Sequence, residues 1–245
     1  MKWSNGALRI FFYNWPTYVG TWAFALAMLL VALAEPRFKR PAVILGVIPF
    51  AWSVASILVA HYIYDRSPLL GGSWISSLLP TSVQSWATIH AGLDAEVELD
   101  TVMPGRCVAR LDVFDESLMT APSIKRARAY TGCANAAVSC SPTSLKLQDQ
   151  TCDAVVVAFT AHEIRNRLAR ERFFDEIRRC VRPGGRVVLV EHLRDLMNFL
   201  AFGPGCLHFL SRGEWLRLAA NANLFVANER RITPWVMTLS LERTS

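Results

Sequence analysis

Two long stretches carry no charged side chain: residues 10–34 and, apart from His61, residues 41–64. A helix needs roughly 20 apolar residues to cross about 30 Å of hydrocarbon, so each stretch can span a bilayer. The first lacks the charged head, short apolar core and small-residue cleavage site of a removable signal. Trp3, Tyr13, Tyr18 and Asn14-Trp15-Pro16 suit the aromatic belt at a membrane surface, and Pro49 is placed to kink the second stretch. Residues 35–41, rich in Pro and basic side chains, make the tight connection. The pattern predicts a two-span anchor over residues 1–66 with both flanks on one side. A linker over residues 67–85 follows, with Gly71-Gly72, Trp74–Leu79 expected along the membrane interface, and Pro80–Ser85 as loop.

From Trp86 the pattern changes to short apolar runs alternating with amphipathic segments. The clearest unit lies between Cys152 and His192. Ala154–Phe159 is continuous, apolar and β-branched, as in a strand buried on both faces of a parallel sheet, and it ends at Thr160-Ala161-His162-Glu163. Residues 167–180 form a helical segment with Leu168, Phe173, Ile177 and Val181 on one side and charges on the other. Arg182-Pro183-Gly184-Gly185 is expected to end that helix and turn into a second buried strand, Arg186–Val190, which ends at Glu191-His192. A right-handed strand–helix–strand crossover follows as the default.

Around this unit, Trp86–His90 reads as an earlier strand, with a loop to Asp94 and a helix over Ala95–Val102. Cys107–Asp112 reads as the next strand, Pro122–Tyr130 as a basic helix and Ala136–Cys140 as a short strand. Leu196–Leu210 is strongly apolar and broken by Gly-Pro-Gly; a lid touching the bilayer, the floor of an apolar pocket and plain core all fit it. A helix over Glu214–Ala222 and two strands, Phe225–Ile232 and Val236–Arg243, complete the reading.

At 245 residues and 52% hydrophobic content, one sizeable core and an anchor exhaust the chain. The net charge of +6 is concentrated at the front: six basic against two acidic residues up to Arg66, then 20 against 18. Charges in the later part are interspersed, which argues against a nucleic-acid surface, while basic residues beside the spans suit anionic lipid headgroups. Those basic residues are balanced across the two ends of the spans and do not orient the anchor. The six cysteines show no C-x-x-C spacing, so they read as reduced structural thiols and give zinc no support.

"DAVVVAFTAHEI" and "FFDEIRRCVRPGGRVVLVEH" resemble the fourth strand, following helix and fifth strand of class I S-adenosylmethionine-dependent methyltransferases. The resemblance spans about residues 86–243. It implies a doubly wound, Rossmann-like α/β domain over residues 86–245, S-adenosylmethionine as cofactor, and a cytosolic face of an inner or cytoplasmic membrane for that domain. By position, it assigns cofactor contacts to His90, Ala91 and Gly92 after the first strand, Asp112 after the second (Asp115 as second candidate), Ser141 after the third and Thr160 after the fourth. Where the family carries several glycines, this chain has Gly92; where it carries an adenine-binding Asp, this chain has Ser141.

Carboxyl ends of strands in open α/β sheets are where ligands bind, which singles out His162, Glu163, Glu191 and His192. Histidine's reference pKa lies near working pH, which makes His162 the candidate general base, with Glu163 beside it. The four groups also offer ligands to a divalent ion, or simply pair with arginines and backbone; no metal is assigned. Two functions follow. One is a membrane-anchored methyltransferase acting on a lipid, quinone or other apolar acceptor, with membrane lipids and an apolar small molecule as partners. The other, motivated by the reduced glycine loop and Ser141, is a catalytically inactive accessory or assembly subunit of a membrane protein complex.

Overall fold

The computed structural model describes residues 6–92, 99–131 and 137–244. Two long helices come first, α1 (Gly6–Ala34) and α2 (Lys39–His61), joined by a 3-10 turn at Pro36–Phe38. α2 continues as one π-type turn, Tyr62–Arg66. Both helices are long and apolar enough to cross a membrane. They pack against each other through small and polar groups: Trp22 Nε1 donates to Ser53 Oγ at 2.8 Å, and Tyr18 and Ser56 hydroxyls meet at 3.2 Å. Leu26, Leu30, Leu33, Ile44, Val47 and Leu58 point outward. Asp65 closes the base of the hairpin by accepting the free amides of Gly6 and Ala7 at the start of α1, donors a helix cannot satisfy internally.

The rest of the chain forms a seven-stranded sheet: β1 (Ser85–His90), β2 (Arg106–Asp112), β3 (Val138–Ser139), β4 (Cys152–Ala158), β5 (Val181–His192), β6 (Leu224–Thr233) and β7 (Val236–Arg243). The order is β3-β2-β1-β4-β5-β7-β6, parallel throughout except for β7, which runs antiparallel to both neighbours. Helices α3 (Leu99–Val102), α4 (Pro122–Thr131), α5 (Arg167–Cys180), α6 (Leu196–Phe202) and α7 (Arg212–Asn221) connect the strands.

Alternation along the central strands explains their unbroken apolar runs. Ile89, Val155, Val157, Val187 and Leu189 face one core with Phe173, Phe174 and Trp215. Trp86, Ala154, Val156, Val188 and Val190 face a second core. Both faces are dry, so no polar residue is needed every second position.

The second core corrects one expectation. Trp74, Ile75 and Leu78 are buried against the sheet, not laid along a membrane surface, and Ser240 Oγ donates to Leu78 O. The linker supplies the layer that keeps this face of the sheet out of water. Leu168, expected on the apolar face of α5, is exposed, and Val181 begins β5 instead of belonging to the helix. A further difference concerns Arg182-Pro183-Gly184-Gly185: the helix ends before it as expected, but the stretch belongs to the strand that follows. It lies inside β5 as a bulge: Val181 pairs with Cys152 and Arg186 with Ala154. Gly184, at φ +76°, makes the turn. Asp153 anchors the start of β4 by accepting from the amides of Gln84 and Ser85, the Ser85 hydroxyl and Arg182. Leu93 and Asp94 of the expected loop, the first residues of the helix expected at 95–102, Cys133 and Ala136 lie outside the described residues. Among the described cysteines none forms a disulfide.

Candidate active site

Parallel register places the carboxyl ends of β1, β2, β4 and β5 along one edge. His90 is the register partner of Asp112, and Val113 N donates to His90 O at 2.8 Å. Ala91 is buried, and Gly92 takes φ +85°, a conformation costly for any side chain. Asp112 is 3% exposed; its Oδ1 accepts from Phe114 N and its Oδ2 from Arg128 Nη1 on α4. Arg128 lies across Gly92, where an added Cβ would sit 2.8 Å from Arg128 Cδ, and stacks over Phe114 at 4.7 Å. Ser141 follows Cys140, whose amide bonds to Asp112 O, but its hydroxyl pairs with Thr143 in a local turn. The structure therefore brings His90, Ala91, Gly92 and Asp112 together and places Ser141 at their border. Arg128, absent from the expected set, is the group that engages the central carboxylate.

The end of β4 is bent. Phe159 has φ +49°, unusual for a bulky residue, and Thr160 turns its hydroxyl back to Ala158 O. The bend folds the turn Ala161–Glu163 over the end of β5. There Glu191 Oε1 accepts from the amides of Ala161 and His162, and Glu191 Oε2 sits 2.6 Å from His162 Nδ1. On the other side of the ring, His162 Nε2 lies 3.5 Å from Glu163 Oε1, and His208 Nε2 lies 3.2 Å from the same oxygen. Glu163 Oε2 is buried without a partner.

The electrostatics of this cluster change the role expected of His162. Burial alone would push its pKa down, but the charges of Glu191 and Glu163 and hydrogen bonds to both outweigh that and raise it to about 10. Burial likewise works against ionisation of Glu163, yet the imidazoles of His162 and His208 hold its carboxyl far below the usual range. An imidazole already protonated at neutral pH, and fixed at both nitrogens by carboxylates, cannot take a proton from an acceptor. His162 is thus the cation of a buried network rather than a free base. His192 is separate: Nδ1 donates to Trp235 O at 2.9 Å and Nε2 receives the Tyr64 hydroxyl at 2.7 Å. Burial pushes its pKa down to about 4, so it stays neutral.

A cavity of about 590 Å³ opens in front of Glu163, His192 and His208. Its opposite walls are Ile10, Tyr13, Thr17 and Tyr18 of α1 and Trp52, Ser53 and Ser56 of α2. Phe202, Gly203 and Phe209 form its floor, so the Leu196–Leu210 segment is a pocket wall. That segment also exposes Leu196, Leu200 and Leu207 beside α2, to which it is tied by Trp52 Nε1 donating to Leu200 O at 2.7 Å. His208 and Tyr64 were not among the expected site residues. His208 sits in the apolar segment and Tyr64 in the second span, and nothing local in either stretch marks a site.

A family profile described as a methyltransferase domain matches residues 105–189. Similar solved structures include a SAM-dependent methyltransferase from Aquifex aeolicus, 16% identical, covering 75% of this chain and 96% of that one with a TM-score of 0.54. The 1,6-didemethyltoxoflavin-N1-methyltransferase of Burkholderia thailandensis, solved with 1,6-didemethyltoxoflavin and S-adenosylhomocysteine, is 15% identical over 80% of this chain and 89% of that one, TM-score 0.51. A protein from Pyrococcus horikoshii OT3 is 14% identical over 72% and 88%, TM-score 0.51. At these identities the likeness is one of fold. No curated protein matches the sequence.

Proposed function

We propose that this chain is a class I S-adenosylmethionine-dependent methyltransferase-like protein, that its α1–α2 hairpin holds it in a membrane, and that it methylates an apolar, membrane-resident acceptor of lipid or quinone type. The observation that carries this reading is the cavity shared between the hairpin and the strand ends. A soluble acceptor needs no such wall. An acceptor dissolved in the bilayer reaches the polar cluster without crossing water.

The residues at the ends of β1 and β2 fit an adenosyl cofactor: Asp112 offers two acceptor oxygens for a diol, and Gly92 leaves bare backbone beside it. Bound there, S-adenosylmethionine supplies an electrophilic methyl group. Asp112 can take a diol with both oxygens only when Arg128 leaves it. The acceptor's apolar body lies along Ile10, Trp52, Phe202 and Phe209. Its polar end meets Glu163, whose unpartnered Oε2 accepts a hydrogen bond from a hydroxyl or amine. Orientation and exclusion of water supply most of the rate in such a site.

The pairing of Arg128 with Asp112 favours a second reading, an inactive domain serving a membrane complex. Methyl-labelled S-adenosylmethionine incubated with full-length protein in vesicles of a total membrane-lipid extract separates the two. The expected result is label in the organic phase, lost in Ala201→Trp, which fills the cavity. Label confined to water-soluble products, or organic label that Ala201→Trp leaves unchanged, overturns the apolar-acceptor reading. No transfer and no cofactor binding in the millimolar range supports the inactive one.

A further inference from the structure

We propose that His162, Glu163 and His208 bind one divalent transition-metal ion, with Glu191 positioning His162 from behind. Nothing in the fold requires such a site; the side chains themselves carry it. One nitrogen from each imidazole and one Glu163 oxygen lie within 4.8 Å of one another. The ion would take the place of the His162 Nε2 proton, which is released on binding, while Nδ1 keeps its proton on Glu191. Metal–ligand bonds of about 2.1 Å turn the 3.5 and 3.2 Å separations into angles of about 100–115° at the ion, close to tetrahedral. The two imidazole nitrogens, at most 4.8 Å apart, need to approach by no more than about 1.4 Å to complete that geometry. His208 can make the move, because it ends the short turn after Gly203-Pro204-Gly205 and its side chain is 28% exposed.

A second observation points to a ligand. Glu163 is 2% exposed, yet its Oε2 has no hydrogen-bond partner, and His208 Nε2 is likewise buried without an aligned one. Buried polar atoms are rarely left so, since each has given up its bonds to water without replacing them. The surroundings are also those of a metal site. Glu191 holds His162 through Nδ1 and is itself fixed by two backbone amides, which turns Nε2 toward Glu163 and His208. A carboxylate behind a ligating histidine is the usual support for such a ligand.

Two imidazoles and one carboxylate suit Zn²⁺, Fe²⁺ or Mn²⁺ better than Mg²⁺ or Ca²⁺, which prefer all-oxygen shells. Three protein ligands leave a position open toward the cavity, as in sites that bind a reactant rather than brace a fold. A hydroxyl oxygen of the cavity's ligand would complete the shell, and the ion would polarise it as a Lewis acid. This site goes beyond the methyl-transfer reading and stands without it, because metal binding is measured with no methyl donor present.

The test uses full-length protein in detergent, stripped with a chelator and dialysed. Zn²⁺ is titrated calorimetrically, and Co²⁺ is followed by its visible absorption. One Zn²⁺ per chain with a micromolar or tighter Kd is expected, displacing Co²⁺ from a four- or five-coordinate spectrum. His208→Ala and His208→Asn, both at a partly exposed position, should weaken binding at least tenfold while leaving the melting temperature near that of the parent. Glu191→Gln should weaken it by about 10–100-fold through misplacement of His162. Cys107→Ala, a control for stray thiol binding, should change nothing. Absence of Zn²⁺ binding up to millimolar metal, or binding that both His208 variants leave intact, overturns the site.

Discussion

Arg128→Ala should tighten S-adenosylmethionine binding, an unusual direction for removing a charged residue from a ligand cleft. Asp112 is almost fully buried and Arg128 is 17% exposed, so their pairing is shielded from solvent. A charge-assisted hydrogen bond of this kind contributes about 1.5–3 kcal/mol, and the stacking over Phe114 adds about 0.5–1 kcal/mol. A ribose diol that occupies both oxygens of Asp112 must first displace the guanidinium and so loses a good part of that energy. Removing Arg128 in advance lifts the loss. At 1.4 kcal/mol per tenfold, cofactor Kd should fall by about 10–100-fold. Isothermal titration of the detergent-solubilised protein reads the change, with Asp112→Ala, which should abolish binding, in the same series. A melting curve guards against unfolding, since the variant leaves a buried carboxylate to be solvated. Binding that is unchanged or weaker in a folded Arg128→Ala protein would refute the reasoning. Arg128 would then contact the cofactor directly or lie outside its path.

Three further outcomes follow from the structure. Asp153 holds the start of β4 with hydrogen bonds from Gln84, Ser85 and Arg182, and these outweigh burial to keep its carboxyl below the ordinary range. A folded-state pKa below the unfolded one stabilises at neutral pH, and that stability is lost as pH falls through the folded value. Asp153→Asn should therefore cost about 1–2 kcal/mol at pH 7 by chemical denaturation and lose its disadvantage in acid; a pH-independent difference would contradict this. Gly105, at φ +75°, would place an added Cβ 2.5 Å from Val83 O and 2.6 Å from Gln84 O, so Gly105→Ala should destabilise by about 2–4 kcal/mol in the same assay. Trp52→Phe removes the hydrogen bond from α2 to Leu200 O and should raise KM for an apolar acceptor several-fold with little change in kcat.

How far the sequence could reveal this molecule depended on whether a feature is local. Val155 to Val157 and Val187 to Val190 announce buried parallel strands because both faces of each strand are covered, and no partner needs to be known to see it. The uncharged spans and Asp112 at a strand end are legible for the same reason. Trp74, Ile75 and Leu78 were misplaced because an apolar stretch beside a membrane span reads identically whether it faces lipid or a sheet; only the bare second face of β4 and β5 decides. Arg182-Pro183-Gly184-Gly185 looks like a turn outside the strand because its glycines turn the backbone, yet the ladder runs on both sides of it along the same partner strand, which is a property of the pair. His162 shows the limit most clearly. Its residue type suggests a base, but its protonation is set by Glu191, 29 positions away, and by the bend at Phe159 that brings the two together. Arg128, His208 and Tyr64 are invisible for a stronger reason, since each acquires its role from a strand, turn or span with no pattern connecting it to the site. The cavity is assembled across long sequence separations. A hairpin helix, the ends of β4 and β5, and the turn after α6 meet at one cavity, so a substitution in α2 at Trp52 and one in the turn at His208 should be felt by the same ligand.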